Sequence, residues 1–185
     1  MRAALTCFAR RGFHKTTMQD VVKQSGLSPG SIYCHFASKQ DIIVAVVDER
    51  HKRERALLQR AFERQSFAEA VDQLAADFIA ALRAPEEQAW RRLTVQLWAE
   101  SLHDRRLAAA ARGGVERPRA ILARMAKRAK AKGELPRSLD PDAVARVFIA
   151  VFQGLVLQLT WNRNVALPPY VSVLKTLLAP GRARK

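Results

Sequence analysis

Apolar residues recur along this chain at three- and four-residue steps, and prolines and glycines interrupt that rhythm as they do between short helices. No run alternates polar and apolar β-branched residues, so no strand is predicted and the fold class is all-α. A first helix covers about residues 1–11, with Leu5, Phe8 and Ala9 on one face and Gly12 ending it. A second carries Met18, Val21 and Val22 behind an N-cap at Thr16 or Thr17, and Gly26 supplies the left-handed backbone of a tight turn. Ser28 caps a very short third helix, with Pro29 at its first position and Ile32 and Phe36 turned inward. Ser38 caps a long fourth helix, about 39–64, with Asp41 as the acidic part of a capping box. Five more helices follow at about 66–83, 86–103, 105–132, 141–162 and 168–179. Pro118, preceded by Gly113 and Gly114, is placed to split the 105–132 segment. The basic tail 180–185 is expected to fray.

The stretch Thr16 to Lys39, TTMQDVVKQSGLSPGSIYCHFASK, has the physics of a helix-turn-helix. Two short helices cross steeply over a small apolar contact, here Val21, Val22, Leu27, Ile32 and Phe36. The second helix offers its N-terminal end to a groove, and that end carries Ser28, Pro29, Gly30 and Ser31, all small. Small residues let the backbone approach DNA closely, and a helix N-terminus attracts phosphate. Tyr33 and His35 project a hydroxyl and an imidazole, and Lys39 places a point charge at the start of the next helix.

Together with the Leu5…Phe8-Ala9…Gly12-Phe13 stretch, the residues Thr16-Thr17, Gly26-Leu27-Ser28, Gly30-Ser31-Ile32-Tyr33, His35-Phe36 and Lys39 resemble the N-terminal domain of the tetracycline-repressor (TetR) family, from about Ala3 to Val47. The resemblance implies phosphate contacts from Thr17, Tyr33, His35 and Lys39, and base contacts around Pro29, Gly30, Ser31 and Cys34, next to Ser28. Val22 and Ser25 depart from the family pattern, which often has Ala at those positions. Some members lay a basic arm along DNA ahead of the first helix; this sequence starts inside that helix.

The C-terminal part, from about Trp90 to Trp161, is similar to the regulatory domain of the same family. That similarity implies a homodimer formed through residues about 141–179. The side chains point the same way. Val144, Val147, Phe148, Val151, Phe152, Leu155, Val156 and Leu159 make the 141–162 helix apolar on too many sides for a monomer surface, and Gly154 permits a second helix to come close. The 143–161 stretch is only marginally long enough to span a membrane and contains Arg146, Gln153 and Gln158, so a helix buried in a core or subunit interface is expected instead. Trp90 and Trp98 lie eight apart on roughly one helix face; with Phe78, Leu93, Leu97, Leu157 and Trp161 they fit either core packing or the lining of a ligand cavity. The family resemblance favours the cavity, with Thr94 in its wall and Gln153 and Gln158 as candidate hydrogen-bonding groups.

The formal net charge of +15 favours a polyanionic partner, yet it is spread unexpectedly: +3 over residues 1–50, 0 over 51–100, +7 over 101–150 and +5 over 151–185. The excess therefore lies mainly outside the helix-turn-helix. The basic run from Arg112 to Lys132 reads as a solvated helix face that could raise non-specific DNA affinity, and not as a second DNA site. Cys7 and Cys34 are far apart, with no disulfide framework or zinc spacing, and the four histidines form no ligand pair, so neither metal nor cofactor is expected. Gly26-Leu27-Ser28-Pro29-Gly30 spells G-x-S-x-G, but a nucleophile elbow needs a strand before the serine, and here a helix precedes it; no enzyme is predicted.

The sequence thus describes a cytoplasmic two-domain regulator: a DNA-binding head over residues 1–45 and a helical ligand-binding and dimerisation domain over 46–180. Its expected partners are a near-palindromic double-stranded operator and a small apolar or aromatic effector, with no membrane. A non-specific or architectural DNA-binding protein is the alternative that the charge allows.

Overall fold

In a computed structural model the described residues are 1–82, 84–162 and 164–178. Among them the chain forms α1 (Arg2–Lys15), α2 (Met18–Ser25), α3 (Pro29–His35), α4 (Lys39–Phe62), α5 (Phe67–Leu82), α6 (Glu87–Glu100), α7 (Arg105–Ala131), α8 (Pro141–Trp161) and α9 (Leu167–Leu178), and no strand. The basic tail lies outside the described residues. Two compact units form: Met1–Lys52 with Pro85–Gly114, and Arg53–Ala84 with Val115–Lys185.

The first unit is organised around Phe8, which is fully buried. Around it pack Leu5 and Phe13 of α1, Val21 of α2, Ile32 of α3, and Ile42, Ile43 and Val46 of α4. The same cluster takes in Trp90, Leu93 and Leu97 of α6 and Leu107 of α7. The head of residues 1–45 therefore shares its core with side chains more than forty residues further along the chain. Polar links reinforce that sharing. The carboxylate of Glu87, 3% exposed as a residue, accepts from Arg50 through two nitrogens at 2.8 and 3.2 Å, and the Arg50 guanidinium lies 5.5 Å from the Trp90 ring centre. Arg106 donates to Asp41 at 2.9 Å, and His14 meets Glu100 at 2.7 Å.

The second unit packs Leu58, Ala61 and Phe62 of α4, Ala70 and Leu74 of α5, Ile121, Leu122 and Met125 of α7 and Ala145 of α8 into one cluster. Phe67, Val71, Ala126, Ala129 and Leu135 make a second. Phe148 joins the two, edge-on to Phe67 at 5.9 Å. Lys175 ties α9 to Asp72 of α5 at 2.9 Å.

Two expectations are corrected. α7 runs unbroken through Pro118. The amide that Pro118 lacks would have bonded the carbonyl four residues back, so one hydrogen bond is missing while the ladder continues on either side. The preceding glycine has another purpose: a Cβ at Gly114 would collide with the His51 imidazole. Leu27 does not join the contact between α2 and α3 but is 56% exposed, because the left-handed turn at Gly26 (φ 71) directs the next side chain outward. The contact is made by Val21 and Ile32, with Val22 and Phe36 partly buried beside them.

Candidate nucleic-acid interface

The site is built from the capping chemistry of three short helices. α1 breaks at Gly12 (φ 79, ψ 168) and makes one further turn to Lys15. Thr16, 1% exposed, secures that break: its hydroxyl donates to the Gly12 carbonyl at 2.7 Å and lies 3.2 Å from the Cys7 carbonyl. Thr17 is the N-cap of α2, in a full capping box with Asp20. The Asp20 carboxyl is held below the usual carboxylate range, first because the Thr17 N–H donates to it, then because the Thr17 hydroxyl does, with Arg11 adding its charge and a hydrogen bond. Burial, and then the Asp20 charge, push the Cys7 thiol up.

α3 is anchored by a single buried side chain, Ile32. Ser28 caps it, its Oγ accepting the Ser31 N–H at 3.2 Å. That role accounts for the serine of the G-x-S-x-G string, which follows α2 and not a strand. Ser28, Pro29, Gly30, Ser31, Tyr33, Cys34 and His35 are all exposed. A Cβ at Gly30 would meet nothing of the protein within 4 Å, so no internal packing demands a glycine there. Tyr33 is 50% exposed, so its ring and hydroxyl are open to solvent. Thr17 is exposed on the neighbouring cap. Lys39 is more constrained than its place in the sequence suggests: its ammonium donates to the Phe13 carbonyl at 2.7 Å and the His14 carbonyl at 3.4 Å, 4.4 Å from the Phe13 ring centre. It thereby caps the last carbonyls of α1. The interlock of Thr16, Gly12 and Lys39 is not legible in the sequence, because it joins residues up to 26 positions apart.

The candidate effector residues divide between the units. Trp90, Thr94, Leu97 and Trp98 lie on α6 in the first, where Trp90 and Leu97 belong to the buried cluster and Thr94 and Trp98 are half-buried. The small crevice lined by Phe13, Ile43, Leu93, Leu97 and Leu107 there has no room for a water molecule. Phe78, Gln153, Leu157 and Trp161 lie in the second unit. Phe78 packs edge-on to Phe152 at 5.4 Å, Gln153 and Leu157 are half-buried, and Trp161 is 75% exposed. α8 is long and apolar enough to cross a membrane by length and composition alone. One side of it, Ala145, Leu155, Val156 and Leu159, is packed into the second unit, while Val147 is 49% exposed and Phe152, 37% exposed, is covered only in part, by Phe78.

A short, singly anchored helix that follows a left-handed glycine turn and shows small and polar side chains to solvent defines a helix-turn-helix DNA-binding regulator. Comparison with known proteins places it further. Residues 1–46 match the profile of bacterial regulatory proteins of the TetR family, and residues 68–179 that of the C-terminal domain of BetI-type transcriptional repressors. The chain belongs to the TetR family of DNA-binding transcriptional regulators. It is 25% identical over 156 residues to the HTH-type transcriptional regulator UidR of Escherichia coli K12, spanning 84% of this chain and 77% of UidR. The solved structure of Salmonella enterica GusR is 31% identical, with a TM-score of 0.75, covering 97% of this chain and 92% of GusR. FadR of Bacillus subtilis, solved with stearoyl-CoA, shares the fold at 18% identity, with a TM-score of 0.76 and 97% and 96% coverage.

Proposed function

We propose that this protein is a ligand-responsive repressor that binds a near-palindromic operator as a homodimer and is released by a small apolar or aromatic molecule. The exposed face of α3 carries the DNA-binding part: seven residues from Ser28 to His35 are open to solvent while Ile32 alone anchors the helix. In this reading the Ser28–Ser31 end enters the major groove, with Cys34 beside it, and Thr17, Tyr33, His35 and the anchored Lys39 hold phosphates. Two heads would read half-sites roughly 34–36 Å apart, or a multiple of that. The uncovered apolar side of α8, with Gly154 facing open space, supports pairing with a second copy through α8 and α9.

The effector part is supported by FadR of Bacillus subtilis, a regulator of the same fold solved in complex with stearoyl-CoA. Phe78 and Leu157, with Gln153 as a polar group, all in the second unit, are the side chains we assign to effector recognition. A coupling of about 1–3 kcal/mol between effector and operator would change occupancy usefully. α4 is the natural carrier, since it contributes residues to both compact units. DNA binding places the protein with the chromosome, in the cytoplasm.

The test is to sequence what the purified protein retains from sheared genomic DNA, beside Tyr33→Ala. Recovery of a few palindromic sites that the variant loses is the expected result. A flat sample of the genome would instead establish the non-specific binder that the charge allows.

A further inference from the structure

We infer that the C-terminal half of α7 is a second, sequence-independent surface for the phosphate backbone of duplex DNA, separate from the helix-turn-helix. The observations begin with charge. Residues 117–132 contain seven basic side chains and no acidic one. Arg119 is neutralised by Glu116 and Asp142. The others are not: among the described residues no carboxylate lies within ion-pair distance of Arg117, Arg124, Lys127, Arg128, Lys130 or Lys132. Where these cations have partners, the partners are neutral. Arg128 donates to the Arg64 carbonyl at 2.9 Å, Lys132 to the Gln65 carbonyl at 2.6 Å and Lys130 to the Leu139 carbonyl at 2.9 Å. The guanidinium groups of Arg124 and Arg128 both lie against one ring, 5.3 and 4.5 Å from the centre of Phe62. Such neutral partners fix Arg124, Arg128, Lys130 and Lys132 without cancelling their charge, so these four have little entropy left to lose on binding an anion, while Arg117 and Lys127 are free to reach for one.

Shape then narrows the partner. Arg117, Ala120, Arg124, Lys127 and Ala131 recur at three- and four-residue steps, share one face, and are all exposed. The two alanines keep that face low between the cations. From Arg117 to Lys132 the helix rises about 22 Å, at 1.5 Å per residue. Charge spread over that length is poorly matched to one small anion and well matched to a duplex, with its charge every 1.7 Å or so of axis. A membrane-lying helix would need its apolar side free. Here Ile121, Leu122, Met125, Ala126 and Ala129 are buried in the protein's own core. A protein partner would want an apolar or aromatic centre to the patch, and no large hydrophobic residue of α7 is exposed.

The test uses the full chain and a labelled duplex of random, non-palindromic sequence, titrated by fluorescence anisotropy from low to moderate potassium chloride. Arg117→Gln/Arg124→Gln/Lys127→Gln should lower the slope of log affinity against log salt by about 2–3, at roughly 0.9 for each phosphate that is no longer neutralised. Tyr33→Ala/His35→Ala, which alters only the head, should keep most of the wild-type slope on this duplex, so failure of the operator reading and failure of this one are distinguishable. Arg117 and Lys127 make no hydrogen bond among the described residues, so the double variant Arg117→Gln/Lys127→Gln gives the same reading, at a fall of about 2, without disturbing the Phe62 stack. An unchanged slope in a folded variant overturns the proposal. So does loss of the slope in the head variant, or retention of DNA binding by the triple variant with loss only of binding to phosphatidylserine vesicles.

Discussion

Gly30 separates stability from recognition at a single position. No neighbour within 4 Å claims the space of its missing side chain, and its φ is not in the left-handed region. Alanine is the better helix former by up to about 1 kcal/mol. Gly30→Ala should therefore leave the thermal midpoint unchanged or higher, yet weaken operator binding by roughly 1–3 kcal/mol, because the methyl holds the backbone off the groove. Calorimetry and an operator titration on the same preparation check both halves; equal affinity would remove Gly30 from the interface. Asp20 provides a pH test. Its folded pKa lies below the unfolded value of about 3.9, so its capping contribution is fully present above that value and is lost as pH falls through the lower, folded value. Urea midpoints of wild type and Asp20→Asn should differ at neutral pH and converge in acid. Midpoints that stay equally far apart at both ends would mean the carboxylate is not what stabilises the cap.

At the scale of elements, the sequence showed the helices better than it showed their partners. Ser28-Pro29 and Asp140-Pro141 mark starts that the structure confirms as capped, with Pro at the first position in each. Pro118 read as a break because local rules cannot know that α7 is held on both sides, by Leu107 in one core and by Ile121, Leu122 and Met125 in another. Glu87 was invisible for the same reason, since a glutamate near a helix start is ordinary in sequence. Only the fold buries it against Arg50, 37 residues away. Glu87→Ala removes two charge-assisted hydrogen bonds from a half-buried guanidinium, so it should cost about 1.5–3 kcal/mol. Chemical denaturation is the measurement, and a loss below about 1 kcal/mol would show the pair to be no stronger than one at the surface.

For the whole molecule the open question is how the uncovered side of α8 is satisfied. Val147, 49% exposed, is an apolar residue on a helix whose other side is already packed. A charge there should be tolerated by the monomer and rejected by a dimer. Val147→Glu is expected to sediment as a monomer with native helicity and, on the dimer reading, to lose operator affinity by far more than one head's own interactions explain, since each head then binds without a mate. A variant that remains dimeric would move the interface elsewhere.

Local rules determined the helical class, the caps of α3 and α8 and the turn at Gly26, and narrowed the cap of α2 to Thr16 or Thr17, because each depends on residues within about four positions. Tertiary structure decided what those elements share. It placed Trp90 and Leu97 in the core behind the head, turned Leu27 out, committed Lys39 to the carbonyls of α1 and laid Arg124 and Arg128 on one phenylalanine. These outcomes turn on which surfaces are removed from water together, and that is a property of the packed chain as a whole.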